Sequence, residues 1–263
     1  ILANRPLIFL KATYKLSDFR FPKRVQKLRE RLAQDSLDAL FISNTENRRY
    51  ISGFESSAGY LLVTRRNAVI CTDFRYIEQA SQQAPGWRVD RIGGKPDWLA
   101  NLVKELEIKV LGFEADDMTV ETLDRFRRNL KQNDANPTLK PTSSICVELR
   151  AYKDDVELPL LQRAIDIGDQ AFEETVDQLE VGMSEKEAAW IFEKAVRERG
   201  AESISFPTIV AIGPNAAQPH HATGDTKIVE GQTIVFDCGA KYKGYCSDLT
   251  RTVVLGKAND KVK

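Results

Sequence analysis

Two aspartates, Asp237 and Asp248, lie in a stretch rich in β-branched and aromatic residues, which predicts a β-hairpin. Segment 241–244 between the two arms has turn character. A turn centred between Tyr242 and Lys243 would put the two aspartates directly opposite each other on one face, with their Cβ atoms about 4.5–5.5 Å apart. Facing carboxylates repel, and a divalent metal held by oxygen ligands is the strongest compensation for that repulsion. The hairpin therefore predicts a metal site.

The spacing alone leaves a second interpretation open. Aspartate is unfavourable inside strands, and both side chains could simply point into water. A bulge at Gly239 or Gly244 would also change which side chains share a face. The metal site is a hypothesis that depends on the register of the hairpin.

The composition is that of a globular protein without an electrostatic preference for nucleic acid or an anionic membrane. The 263 residues are 42% hydrophobic and 29% charged, and 38 basic side chains balance 38 acidic ones. No apolar run in the sequence is long enough to span a bilayer. The four cysteines form no C-x-x-C motif, and the expected register puts Cys238 and Cys246 on opposite faces, so we expect reduced thiols and a cytoplasmic location.

The first residues are unusual for a cytoplasmic protein. The chain begins at Ile1, and residues 1–16 hold three basic side chains, Arg5, Lys11 and Lys15, with no acidic one. Such a start is similar to an organellar presequence, and a fragment boundary is the alternative. Import into an organelle therefore stays open beside the cytoplasmic location.

Alternating strand and helix patterns predict an α/β domain over residues 20–145. An inter-domain linker is predicted at residues 133–144, where Pro137 and Pro141 occur among few apolar side chains. A second domain over residues 150–263 follows. Its predicted elements are a long helix near 156–179, a helix from a Ser184/Glu187 capping box to about Arg199, and strands near 208–212 and 233–238.

The motifs of both domains resemble the Xaa-Pro aminopeptidase and prolidase family of metallopeptidases. The resemblance covers most of the chain and is carried by the segments Asn47–Phe54, Cys71–Tyr76, Glu148–Lys153, Phe206–Asn215, Pro219–His220, Asp237–Ala240 and Gly244–Thr252. It implies an α/β N-terminal creatinase-like domain followed by an α+β pita-bread catalytic domain that is incomplete in this chain. The Asp…Asp hairpin ending in Thr-Arg-Thr is the most specific of these motifs.

The resemblance also implies roles for single residues. Asp237 would bind one of two divalent metal ions, and Asp248 would bridge both; carboxylate ligands favour manganese, with cobalt or zinc as alternatives. His220 would be catalytic, stabilising the substrate or the developing charge, whereas His221 would be a packing or surface neighbour. The substrate would be a peptide with proline after its N-terminal residue, and the protein a homodimer that binds neither nucleic acid nor a membrane.

One departure from the family pattern matters. The family has a further His and two Glu ligands well beyond the Thr-Arg-Thr segment, whereas here no His and no Glu follows Asp248. Two aspartates are too few ligands for tight binding of two metals. We therefore expect a fragment of a dinuclear Xaa-Pro aminopeptidase that is inactive by itself and exposes apolar surface on its half sheet. An Xaa-Pro dipeptidase (prolidase), or a non-catalytic interaction or dimerisation protein on the same scaffold, are the alternatives.

Overall fold

The computed structural model describes residues 21–93 and 97–258. The basic N-terminal segment, interpreted above as similar to a presequence, lies outside these residues. The chain divides into two compact units, one ending at Lys153 and the other beginning at Asp154. Of the helices in the described ranges, none is long and apolar enough to cross a membrane.

The first unit is built on one six-stranded sheet. Its described elements in chain order are α1 (Phe21–Gln34), β1 (Ala39–Ile42), α2 (Thr45–Ser52), β2 (Tyr60–Thr64), β3 (Ala68–Thr72), α3 (Ile77–Gln83), β4 (Arg88–Arg91), α4 (Trp98–Glu105), β5 (Val110–Glu114), α5 (Val120–Gln132), β6 (Thr138–Thr142) and α6 (Ile145–Ala151). The strand order is β4-β3-β2-β1-β5-β6. Strand β1 is antiparallel to β2 and parallel to β5, so the sheet is mixed.

Helices cover both faces of this sheet. Leu40 and Ile42 of β1 belong to one core cluster, together with Leu28 of α1. Phe41 lies between them in the chain and points to the other face, where its ring lies 5.4 Å from that of Phe126 on α5. Because apolar side chains pack on both faces, every residue of β1 is buried.

Motif residues of the first unit have structural roles. The Asn47 amide donates to the buried carboxylate of Glu114 at 2.6 Å. The Tyr50 hydroxyl donates to the backbone carbonyl of Leu149 at 2.9 Å, which ties α2 to α6. Phe54 is 1% exposed in the same core. These contacts account for the Asn47–Phe54 motif without requiring a ligand.

The predicted linker at residues 133–144 is wrong. Strand β6 lies within it, parallel to β5 at the edge of the sheet. Pro141 is tolerated there because an edge strand needs hydrogen bonds on one side only. Helix α6 also belongs to the first unit, so the unit ends at Lys153, beyond the predicted domain limits near 145 and 150. The exposed, proline-containing edge strand resembles a linker in composition.

The second unit combines two helices with two small sheets. Its described elements are α7 (Glu157–Asp177), α8 (Glu185–Glu198), β7 (Ser203–Ile204), β8 (Ile209–Ile212), β9 (Thr233–Cys238), β10 (Ala240–Tyr242), β11 (Tyr245–Cys246) and β12 (Leu249–Val254). One sheet has the order β11-β10-β7 and the other the order β12-β9-β8. The predicted capping box at the start of α8 is confirmed, with both reciprocal hydrogen bonds between Ser184 and Glu187.

The core of the second unit lies between the helices and one face of the β12-β9-β8 sheet. Ile167 of α7, Phe192 of α8, Val210 of β8 and Phe236 of β9 are fully buried there. The opposite face, which carries Val235 next to Asp237, is only half-buried. Apolar surface is therefore partly exposed on this face, which also presents the first aspartate.

Candidate active site

The predicted hairpin exists, but its register differs from the prediction. The turn is formed by Lys243 and Gly244, with φ of 45° and 72°. A two-residue turn with both φ angles positive is of the type I′ class, and Gly244 adopts such an angle without steric cost. The paired strands then place Asp237 opposite Thr250, not opposite Asp248. The predicted direct pairing of the two aspartates is wrong by two residues.

A shift of two residues would keep both aspartates on the same face of a regular hairpin, because side chains alternate with a period of two along a strand; Asp248 itself lies just before β12. Asp248 precedes β12 and lies two residues before Thr250, so it is the diagonal neighbour of Asp237. Diagonal neighbours in an antiparallel pair lie about 7–8 Å apart. Asp237 is half-buried and Asp248 is exposed.

Next to Asp248, hydrogen bonds made by Ser205 and Ser247 hold the backbone at the point where the chain enters β12. We call this group of hydrogen bonds the Ser205–Ser247 brace. Ser205 donates its amide to the carbonyl of Gly239 at 2.9 Å and its hydroxyl to the carbonyl of Ser247 at 2.7 Å. The Ser247 hydroxyl accepts from the amide of Ala240 at 3.0 Å. A Cβ atom at position 239 would lie 2.0 Å from the Ser247 carbonyl oxygen, so only glycine fits. The brace therefore fixes the backbone that carries Asp248.

The donor chemistry of the pair fits a hard divalent cation, but the set of ligands is incomplete. Asp237 accepts one hydrogen bond, from the Thr250 hydroxyl at 3.2 Å, which leaves most of its acceptor capacity unused. Carboxylate oxygens are suitable ligands for manganese or magnesium. Within residues 21–93 and 97–258, however, no group of three or more His, Cys, Asp or Glu side chains is placed to hold a metal.

Cys238 follows Asp237 on β9 with its side chain on the opposite, buried face of the sheet, and it is an unsuitable metal ligand. Burial of its thiol, followed by the charges of Asp237 and Asp248, raises the pKa of Cys238 to about 12. The thiol therefore stays protonated near neutral pH, and only the thiolate binds metals well. All four cysteines are free, as predicted, with Cys238 buried and Cys246 exposed.

His220 and His221 have different surroundings. Both lie in the segment 213–226 between β8 and β9, which we call the histidine loop. His220 is exposed at a turn, and it makes no hydrogen bond to any described residue. His221 hydrogen-bonds through Nε2 to the Glu185 carboxylate at 2.8 Å, with 11% of its side chain exposed. The catalytic role of His220 stays a prediction, and His221 is more than a surface neighbour.

Glu185 is a site residue that sequence reasoning missed. Its side chain is 0% exposed. Burial alone would raise the pKa of Glu185, but hydrogen bonds from His221, Asn215, and the Ile212 and Gly224 amides hold that pKa below its usual value. The sequence does contain a pattern that indicates the burial of Glu185. Glu185 precedes the buried helix positions Ala188 and Phe192 by three and seven residues, so it lies on the apolar face of α8.

Comparison with known proteins identifies two family domains. Residues 24–152 match the model of the creatinase/prolidase N-terminal domain. Residues 159–263 match the model of metallopeptidase family M24. The two matches meet close to the boundary between the compact units at Lys153 and Asp154.

Relatives and solved structures extend over most of the chain. An uncharacterised peptidase of Bacillus subtilis, YqhT, is 37% identical over 241 residues, which cover 91% of this chain and 67% of the relative. A solved Xaa-Pro dipeptidase from Bacillus anthracis is 36% identical with a TM-score of 0.88, covering 92% of this chain and 67% of that one. A solved X-Pro aminopeptidase from Thermotoga maritima is 33% identical with a TM-score of 0.80, and the match covers 89% of this chain and 66% of that one. The chain thus spans about two thirds of the length of these proteins.

Proposed function

Because this chain belongs to metallopeptidase family M24, with a creatinase-like N-terminal domain before its pita-bread domain, we propose that it carries part of the active site of a metal-dependent peptidase acting at Xaa-Pro bonds. The observation that carries the proposal is the hairpin, in which Asp237 lies on the half-buried face of the β12-β9-β8 sheet and Asp248 lies just before β12, two residues from the strand partner of Asp237. The names of the solved relatives, a dipeptidase and an aminopeptidase for Xaa-Pro peptides, support the substrate class.

Asp237 and Asp248 would hold the metal. In the proposed complete enzyme they would hold two divalent ions, with Asp248 contributing to both, and manganese would be preferred over cobalt or zinc because carboxylate oxygens are the donors that this chain supplies. Bound there, such ions polarise a peptide carbonyl and lower the pKa of water. The Thr250 hydroxyl orients Asp237 by donating to Oδ1, which leaves Oδ2 for the cation.

His220 would act on the substrate. Its imidazole is exposed and unpaired within the described part of the chain, so it is available to donate a hydrogen bond. We propose that it donates to the oxygen of the scissile carbonyl as negative charge develops there during hydrolysis. A donor placed to meet developing charge stabilises the transition state more than the ground state.

The 263 residues alone would not form the complete centre. The described residues bring no third acidic, histidine or cysteine ligand to the pair, and the relatives are longer than this chain. Reading the transcript past the codon for Lys263 tests this point. A frame that continues with one His and two Glu residues supports the dinuclear peptidase, whereas a stop codon would favour the non-catalytic interaction protein.

The length of the substrate separates the two peptidase classes. An Xaa-Pro aminopeptidase, the first proposal, cleaves both a dipeptide and longer Xaa-Pro peptides, whereas a dipeptidase accepts only the dipeptide. Comparing hydrolysis of an Xaa-Pro dipeptide and an Xaa-Pro tripeptide by the complete enzyme, with and without added Mn²⁺, distinguishes them. A homodimer in the cytoplasm, without nucleic-acid or membrane partners, completes the proposal; the balanced charge supports the absence of nucleic-acid partners, and the free cysteines support the cytoplasmic location.

A further inference from the structure

The buried carboxylate of Glu185 is the centre of a network that holds the histidine loop. Its Oε1 accepts from the amide of Ile212 at 3.0 Å and from the side-chain amide of Asn215 at 2.8 Å. Its Oε2 accepts from the amide of Gly224 at 2.8 Å and from Nε2 of His221 at 2.8 Å. The four donors span the end of β8 and both halves of the loop, so one carboxylate holds the loop at several points.

The contacts run in both directions between the loop and the start of α8. The amide of Glu185 donates to the carbonyl of Thr226 at 3.0 Å, and that of Lys186 donates to the carbonyl of Gly224 at 3.1 Å. The first amides of a helix have no partner within the helix, so acceptors from elsewhere must satisfy them. The loop supplies these acceptors, and the helix supplies the carboxylate that accepts from the loop.

These reciprocal hydrogen bonds restrict the histidine loop to one position against the start of α8. An ionised carboxylate that is 0% exposed is stable only while its hydrogen-bond partners stay in place. The other charged pairs at this end of α8, Lys186 with Asp225 and Lys227 with Glu187, are exposed and contribute little. Displacing the loop would therefore leave Glu185 buried without partners.

His220 has no side-chain anchor among the described residues. Its place comes from its neighbours in the chain: the amide of His221 donates to Gln218, whose own amide donates to Asn215. Asn215 and His221 flank the His220 turn, and the side chains of both bind Glu185.

We propose that Glu185 is the positioning residue of the histidine loop, setting the place of His220 through Asn215 and His221 without touching it. The inference rests on the proposed role of His220 in peptide hydrolysis. It gives the two histidines different roles, since His220 meets the substrate and His221 anchors the loop. Because a carboxylate has no proton to donate, the His221 tautomer has its hydrogen on Nε2.

The chain offers a simple spectroscopic test because it contains only two histidines. The imidazole ¹H–¹⁵N spectrum of the full chain therefore shows one set of signals for each. Glu185→Gln keeps one carbonyl oxygen, which satisfies Ile212 and Asn215, but turns an NH₂ group toward Gly224 and His221. We expect the signals of both histidines to change, although His220 does not touch residue 185.

Hydrogen exchange of backbone amides measures the same loosening of the histidine loop. We expect the exchange of the Gly224 amide to accelerate by roughly tenfold or more in Glu185→Gln, because hydrogen bonds to charged groups are among the strongest. The amide of Phe236 in β9 should keep its protection. Asp225→Asn is the matched control, since it removes an exposed ion pair from the same loop and should leave both the His220 signal and Gly224 exchange unchanged.

His221→Ala provides a second route if Glu185→Gln does not fold. It keeps the carboxylate with three donors, leaves His220 as the sole imidazole, and should shift the His220 signal in the same direction. An unchanged His220 signal in either folded variant, or loss of the fold in both, would mean that Glu185 supports the fold and does not position His220. These readouts need no hydrolysis, so inactivity of the complete enzyme would contradict the proposed function alone.

Discussion

At the scale of the residue, the groups of this chain that are best suited to hold a metal are two carboxylates on one hairpin. Asp237 is half-buried with one hydroxyl donor, and Asp248 is exposed beside the Ser205–Ser247 brace. They are diagonal neighbours, so each can supply an oxygen to a cation between them without direct contact. The proposed role of the pair is to hold a shared cation, and single substitutions at or beside it test that proposal.

Asp248→Asn should weaken binding of Mn²⁺ to the chain by about tenfold or more, since even groups outside the ligand shell change metal affinity by that factor. Paramagnetic broadening of the amide signals of Gly239 and Thr250 during a Mn²⁺ titration measures the effect. Asp225→Asn removes an aspartate that is 83% exposed and should bind like the wild type. Equal broadening in Asp248→Asn and the wild type would rule out Asp248 as a ligand.

Gly239→Ala should destabilise the second unit by roughly 1–3 kcal/mol, because its Cβ would lie 2.0 Å from the Ser247 carbonyl oxygen. Gly224→Ala is the control, since its Cβ would make an ordinary contact of 3.4 Å with Glu185. Urea unfolding of both variants measures the difference in free energy. A similar small loss in the two variants would show that the backbone at 239 relaxes and that the brace does not determine the path of the chain.

At the scale of the element, hydrogen bonds in both directions join the start of α8 and the histidine loop into one piece. The helix begins with a capping box at Ser184, and its first turn also carries the buried Glu185. The loop carbonyls of Gly224 and Thr226 satisfy amides of the same turn. Helix start and loop should therefore respond together to conditions that change the charge of Glu185.

Acid should loosen this piece. The folded-state pKa of Glu185 is lowered, so the stability that its ionised form contributes is fully present above the unfolded-state pKa of about 4.3 and is lost as pH falls through the folded-state value. Glu185→Gln cannot ionise, so its free energy of unfolding should fall less than that of the wild type between about pH 5 and about pH 3. Parallel pH curves for the two proteins, measured by urea unfolding, would contradict this assignment.

At the scale of the whole molecule, the chain consists of two compact units with separate cores. The first unit encloses its six-stranded sheet between helices on both faces. The second packs α7 and α8 on one face of the β12-β9-β8 sheet and leaves the aspartate face half-buried. The core of the first unit is therefore closed, whereas the second unit presents its proposed site on its less covered face.

Residues 21–153 should fold without the second unit, because both sheet faces are already covered by the unit's own helices. Produced alone, the fragment should unfold in one cooperative urea transition followed by circular dichroism. The Leu40→Ala variant of the fragment, which removes a fully buried side chain of β1, should lower its free energy of unfolding by about 2–5 kcal/mol. A broad transition that Leu40→Ala leaves unchanged would show that the first unit depends on the rest of the chain.

Local patterns in the sequence predicted both long helices of the second unit and its strands β8 and β9. Strand β9 lies at the predicted residues 233–238, and the Ser184 capping box starts α8 as predicted. A pattern with weak periodicity was misinterpreted: the proline-containing edge strand β6 was predicted to be a linker. Edge strands lack a buried face, so their composition does not differ from that of a loop.

The sequence by itself determined the two-domain plan, the family and the two aspartates, because residue types, short spacings and hydrophobic periodicity are local properties of the chain. Only the tertiary structure decided which residues meet. The turn at Lys243 and Gly244 moved Asp248 from a position opposite Asp237 to its diagonal. Likewise, Glu185 and His221 are 36 positions apart in the chain and form a hydrogen bond of 2.8 Å. Both outcomes follow from backbone angles and packing between distant segments, which no local pattern encodes.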